Sequence, residues 1–220
     1  MGPVSDFPLQ ISLPARAGGG AGPRHSSTAA LPPEPLTLRL LGRFTARRGG
    51  KEIDPCAFAT GDGARLVRFL LANREHAVSE PDVLGGLWPD ATRVQAVCRL
   101  RVAVADARRL LDSPGSGSVL CTADGSYRLC LGWHDRVDAD YFEAIASMAL
   151  RTHGPNRRAQ LDLALAQWTG EPMPEERHSL WAAAWRERLG ARRSELLHAL
   201  EELPSYHHAA QPPRATAAAS

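Results

Sequence analysis

The sequence predicts a mainly α chain with small antiparallel sheets: a winged helix-turn-helix followed by a partial, tetratricopeptide-like all-α domain. Three observations predict it. Alternating apolar and polar residues mark short strands near residue 36, three helical stretches follow, and a hairpin closes the set. Beyond about residue 135 the apolar spacing is helical throughout. Both ends are rich in Gly, Pro, Ser or Ala and lack such periodicity.

Residues 1–35 are expected to form a disordered arm. Within them GGGAGPRHSS (18–27) lacks the Gly-Lys-Ser/Thr ending and the preceding strand of a phosphate loop. The winged helix is expected over 36–134. LTLRLLGRF (36–44) reads as a strand, RRGG (47–50) as a turn and KEI (51–53) as a short strand. ARLVRFLLANRE (64–75) places Leu66, Phe69, Leu70 and Asn73 at helical spacing. Ser79-Glu-Pro-Asp82 has the form of a capping box, opening a short helix that ends near LWPD (87–90). Gly85 and Gly86 inside it cost roughly 1 kcal/mol each against alanine. The third helix, RVQAVCRLRVAVADARRLLD (93–112), stops at Pro114–Gly117. SVLCT (118–122) and SYRLCL (126–131) flank an Ala123-Asp124-Gly125 turn, the signature of a hairpin.

Residues 135–203 should form the helical part: one helix from Asp138 to about 152, a second from Asn156 to Trp168, and a long one over 177–203. Trp181, Trp185, Leu189, Leu196 and Leu200 lie near one face of the last. Fewer than two tetratricopeptide repeats fit, whereas such arrays need about three. Residues 204–220, with the adjacent His207 and His208, read as a disordered tail.

Composition excludes more than it selects. Twenty-six Lys+Arg against 24 Asp+Glu leaves a net charge of +2, weak support for a polyanionic partner. Lys51 is the only lysine, and arginine is abundant alongside Ala, Gly and Pro, so arginine position matters more than arginine number. The four cysteines, Cys56, Cys98, Cys121 and Cys130, have no zinc spacing and are expected as reduced thiols of a cytoplasmic protein. No 18-residue apolar run or signal-peptide pattern occurs, so no membrane partner is expected. The sequence shows no nucleophile elbow, metal spacing or phosphate-cradling loop. It therefore predicts no enzyme, no catalytic residue, no metal and no cofactor.

The third helix carries the candidate site. At 100° per residue, Val97, Leu100, Val104, Ala107 and Leu111 form the expected core stripe. Opposite lie Gln95, Cys98, Val102, Ala105, Asp106 and Arg109, with Arg99 and Arg101 flanking the stripe. That arrangement suits a helix in a DNA major groove, and equally a solvated arginine face. In the hairpin, Tyr127, Leu129 and Leu131 should face the helices and Arg128 should point outward, where a wing meets phosphate. The DNA-binding candidates are Arg93, Gln95, Arg99, Arg101, Arg109 and Arg128. Trp88, Tyr127, Trp168, Trp181 and Trp185 are expected in packing, not base stacking.

LLGRF, AVSEPDVLGGLWPD, CRLRVAVADARRLL and TADGSYRL resemble the OmpR-type winged helix of the Streptomyces antibiotic regulatory protein (SARP) family. VDADYFEAI, ALAQWTGEPMPE and Trp181 to Leu203 resemble the start of that family's bacterial transcriptional activation domain, so the likeness spans about 36–203. The resemblance implies a DNA-binding transcriptional activator of a secondary-metabolite type gene cluster. It would bind promoter repeats through helix 91–112 and wing 118–131, with double-stranded promoter DNA and RNA polymerase as partners and a homodimer left open. Arginines aligned with Arg99, Arg101 and Arg108 would contact DNA or support the helix. Two departures stand out. Ala105-Asp106-Ala107-Arg108 replaces the family's Ser-Arg-Leu-Arg, which sets Asp106 toward phosphates or base edges, or in a pair with Arg109 or Arg99. The activation domain also ends about halfway. The alternative reading is a protein-interaction module, or degenerate regulator, that no longer binds DNA.

Overall fold

A computed structural model describes residues 34–59, 61–113 and 117–203. The arm expected over 1–35, residues 34 and 35 apart, and the tail over 204–220 with its two histidines lie outside the described residues.

The segment expected as one strand folds as part of a hairpin. β1 (Leu36–Arg39) and β2 (Thr45–Arg48) pair antiparallel, with Leu36 opposite Arg48. Gly42, at φ +95, turns the chain between them where a side chain would be strained. Arg47 and Arg48, read as turn residues, therefore sit in a strand, and Gly49 and Gly50 make the turn to β3 (Lys51–Glu52). Leu36, Leu38 and Ala46 are buried on the sheet's inner face.

A short helix absent from the sequence reading, α1 (Pro55–Ala59), buries Phe58 and precedes α2 (Asp62–Ala72). β4 (Val78–Ser79) leads into α3 (Glu80–Leu87). Ser79 Oγ accepts from the Asp82 amide at 3.3 Å, but the Ser79 hydroxyl donates back to Asp82 Oδ2 at 2.5 Å, so the reciprocal bond of a full capping box is not made. Gly86 is there for packing: a Cβ would stand 2.5 Å from the Phe69 ring, so glycine lets α3 approach α2. Then come α4 (Arg93–Leu111), β5 (Leu120–Ala123) and β6 (Ser126–Leu129). β4, β6 and β5 form a three-stranded sheet in that order. Asp124 and Gly125, both at positive φ, make the tight turn at the tip.

β7 (Arg136–Val137) returns to the first sheet and pairs parallel with β1, giving the order β3-β2-β1-β7. α5 (Asp138–Arg151), α6 (Arg157–Ala166), a 3-10 turn (Pro174–Glu176) and α7 (Leu180–Glu201) complete the chain. Carboxylates join these helices to the winged helix. Asp135 accepts from the Leu36 amide at 2.8 Å, Asp138 from Leu40 and Leu41 at 2.7 and 3.1 Å, and Glu175 from Phe44 at 2.8 Å. Burial pushes the Asp138 carboxyl up, against the pull of those amides and Arg39. Glu176 is buried against Arg68, whose Nε and Nη2 donate to it at 3.0 and 2.7 Å. Phe69 of α2 meets Trp181 of α7 edge to face at 5.2 Å. One hydrophobic core thus runs from the first sheet through α2 into the helical part. No described helix is long and apolar enough to cross a membrane.

Candidate nucleic-acid interface

α4 begins at a complete capping box that the sequence reading missed. Thr92 Oγ1 accepts from the Gln95 amide at 3.4 Å, and Gln95 Oε1 accepts from the Thr92 amide at 3.1 Å. Gln95, expected toward bases, spends its carbonyl oxygen on the helix start. The buried stripe is Ala96, Leu100, Ala103, Ala107 and Leu111, while Val97 and Val104 are only half-buried. The stripe is rotated from the expected one because α2 packs onto the alanines. A Cβ on Gly63 would stand 3.1 Å from the Ala107 nitrogen and 3.3 Å from the Ala103 oxygen. Small residues on both helices set that close approach.

Besides Gln95, four of the expected site residues are exposed on α4, with distinct fates. Arg99 donates from Nε and Nη2 to Asp62 at 2.8 and 2.9 Å, with its guanidinium 5.1 Å from the Trp88 ring centre. The Trp88 indole donates to the same carboxylate at 3.1 Å. Burial raises the Asp62 carboxyl, but Arg99, Trp88 and Arg65 outweigh it and hold the group below its ordinary range. Arg109 donates to Asp106 at 2.9 Å while its side chain stays 77% exposed. Arg93 and Arg101 are exposed and make no ion pair or hydrogen bond among the described residues.

Asp106 takes one of the alternatives the sequence left open, the pair with Arg109, instead of facing out toward phosphates or base edges. It is half-buried against the first turn of α2, where a Cβ on Gly63 would come within 2.7 Å of its own Cβ. A carboxylate beside a helix N-terminus is favourably placed. Of the two ion-pair partners considered, Arg109 takes Asp106 and Arg99 takes Asp62.

On the opposite edge of α4 lies the hairpin. Arg108 Nη2 donates to the Leu120 carbonyl and to Thr122 Oγ1, both at 3.3 Å, and so braces the hairpin against the helix. Leu129 is buried, Tyr127 and Leu131 are half-buried, and Arg128 is exposed, as the alternation predicts. Burial, followed by the charge and hydrogen bond of Glu80, pushes the Tyr127 hydroxyl up, with Arg101 and Arg108 acting against it. Arg101, two helical turns before Arg108 and so about 20° from it around the axis, lies on the edge of α4 that adjoins the hairpin. Trp88 and Trp185 are buried and Trp168 and Trp181 half-buried, all in packing. Trp133, which drew no comment from the sequence, is 96% exposed after the hairpin.

The expectation of four reduced thiols is corrected. Cys121 of β5 and Cys130, just past β6, form a disulfide, while Cys56 and Cys98 are free and exposed. The register explains it. Cys121 pairs with Arg128 one step from the Leu120–Leu129 pair, and Cys130 lies one step on the other side. The two side chains thus share a face with their Cα atoms 6.0 Å apart. Nine residues of separation around a turn was the signal available in the sequence.

No family model and no curated protein matches the chain. Among solved structures the chain is similar to Mycobacterium tuberculosis EmbR, determined in complex with a low affinity phosphopeptide. The TM-score is 0.65 at 21% identity, over 76% of this chain and 45% of that one. This likeness supports the fold alone, a winged helix followed by helices. The chain spans less than half the length of EmbR.

Proposed function

We propose that the chain is a DNA-binding transcriptional regulator, an activator at promoter repeats of a bacterial gene cluster of secondary-metabolite type. α4 enters the major groove and the hairpin 118–131 serves as the wing. The observation that carries this reading is Arg101, an unpaired cation on the exposed face of α4, on the same edge as Arg108, which braces the wing. Arg93 at the helix start and Arg128 on the wing add unpaired cations for phosphate, the contacts that set register on a duplex. In this reading Arg99, Arg109 and Gln95 reach DNA only by leaving Asp62, Asp106 and the Thr92 cap. RNA polymerase and a second copy of the chain are the further partners it entails, in the cytoplasm and without a cofactor.

The alternative, a protein-interaction module without DNA binding, draws support from the two arginines already neutralised on that face. A continuous exposed apolar patch on α7, which would support it further, does not occur among the described residues. The exposed Leu180 and Leu197 are seventeen residues apart and about 100° apart around the helix.

Fluorescence anisotropy against duplexes from the region upstream of the encoding gene, over a salt series, separates the two. Regulator behaviour is tight binding that weakens steeply with salt, and Arg101→Ala lowers affinity about tenfold or more. Absence of binding at low salt overturns the proposal.

A further inference from the structure

The exposed face of α4 is apolar along its centre. Val94 is 75% exposed and Val102 60%, with the free thiol of Cys98 between them. Spaced four residues apart, the three make one row about 12 Å long that winds by about 80° around the helix. Folding does not account for the two valines. They bury little, and β-branched side chains lower helix propensity. Nor do they lie at the margin of the face: the row runs on the side opposite the buried Ala96 and Ala103, with Arg101 on its hairpin edge and Arg109 two turns beyond Val102.

The hydrogen-bonding groups beside this row are largely spent. Gln95 Oε1 holds the helix cap, Arg99 holds Asp62 bidentately, and Arg109 holds Asp106. Arg101 remains free for a base edge. A helix in the major groove whose free cations are Arg93 at its start and Arg101 beside an apolar row draws part of its discrimination from apolar contact. The apolar feature that the major groove offers is the pyrimidine 5-methyl of thymine.

Resting on the DNA-binding reading above, we infer that Val94 and Val102 are specificity-determining residues that read 5-methyl pyrimidine groups in the major groove, thymine in unmodified DNA. The row spans about three to four base-pair steps at 3.4 Å each, so the two valines address different base pairs of one half-site.

The test uses the full chain. A duplex selected by it from a random pool is remade with uracil in place of thymine, one position at a time. Uracil keeps every hydrogen bond and removes only the methyl. Loss of a read methyl is expected to weaken binding about 4-fold at one to three positions. Val94→Ala and Val102→Ala, both at exposed positions, should each bring the thymine-over-uracil ratio at one position close to 1, with the salt slope unchanged. At the same positions 5-methylcytosine should bind more tightly than cytosine, which shows whether methylated cytosine can supply the same group. Circular dichroism melting checks that each variant stays folded. Salt-dependent binding with no uracil effect, with valine variants that keep the full ratio, or with no gain from 5-methylcytosine overturns the inference and leaves the DNA-binding reading standing. No binding to any duplex overturns both.

Discussion

Arg99 and Asp62 form a bidentate pair, 2.8 and 2.9 Å, that ties the middle of α4 to the first turn of α2. Trp88 closes the group from the C-terminal end of α3, stacked on the guanidinium and hydrogen-bonded to the carboxylate. The pair withdraws from the proposed interface an arginine that the sequence offers to it. Asp62→Asn should return that charge. Non-specific affinity should rise, and the slope of log K against log salt should steepen by about 1. Anisotropy over a salt series with a mixed-sequence duplex measures it, and an unchanged slope means that Arg99 never reaches phosphate.

The same carboxylate should mark the acid limb of stability. Its folded pKa lies below the ordinary value of 3.8, so the native state favours the charged form. That stability is fully present above 3.8 and is lost as pH falls through the lower folded value. Urea midpoints between about pH 5 and 2 should fall less steeply with acid in Asp62→Asn than in the parent chain.

Gly63→Ala should destabilise the fold by about 1–3 kcal/mol although alanine is the better helix former. The new methyl would meet Asp106 Cβ at 2.7 Å and the α4 backbone at 3.1–3.3 Å. Thermal melting with urea titration gives the value. A stabilised variant would mean that α2 and α4 are less closely packed.

Glu176→Ala should cost about 3–5 kcal/mol, because Arg68 is left charged and buried. Both side chains are only 4–5% exposed, and the remaining Arg68 bond goes to the Phe58 carbonyl at 2.9 Å. Replacing both by methionine should recover most of the loss in the same urea assay.

The wing disulfide predicts the thiol count. Untreated native protein should titrate two thiols, Cys56 and Cys98, and reduced protein all four. Closing so short a loop is worth up to about 3 kcal/mol, so reductant should lower the melting temperature. Four thiols without reductant would restore the sequence expectation.

The elements were legible where the signal is local. The Asp-Gly turn, the serine before α3 and the helical spacing of Leu100, Ala107 and Leu111 each place an element from neighbouring residues alone. β4 and β7 were not legible, because two-residue strands have no periodicity and exist only through partners far along the chain. The site was half legible. Arg101 and Arg128 lie on exposed surfaces as expected, whereas the assignments of Gln95, Arg99 and Arg109 carried no hint of the groups that hold them.

By itself the sequence determined the order of elements, the winged-helix pattern and the helix that carries the arginines, since periodicity, caps and turn chemistry act over a few residues. Only the tertiary structure decided which of those arginines remain free. Asp62 lies 37 residues from Arg99, and Glu176 108 residues from Arg68. Whether such charges meet depends on how closely α2 packs on α4 and α7, which is set by Gly63, Ala103, Ala107 and the shared core. Asp106 was moved from the groove to the flank of α2 for the same reason. A stripe drawn from periodicity alone leaves helix rotation undetermined by tens of degrees, and packing fixes the rest.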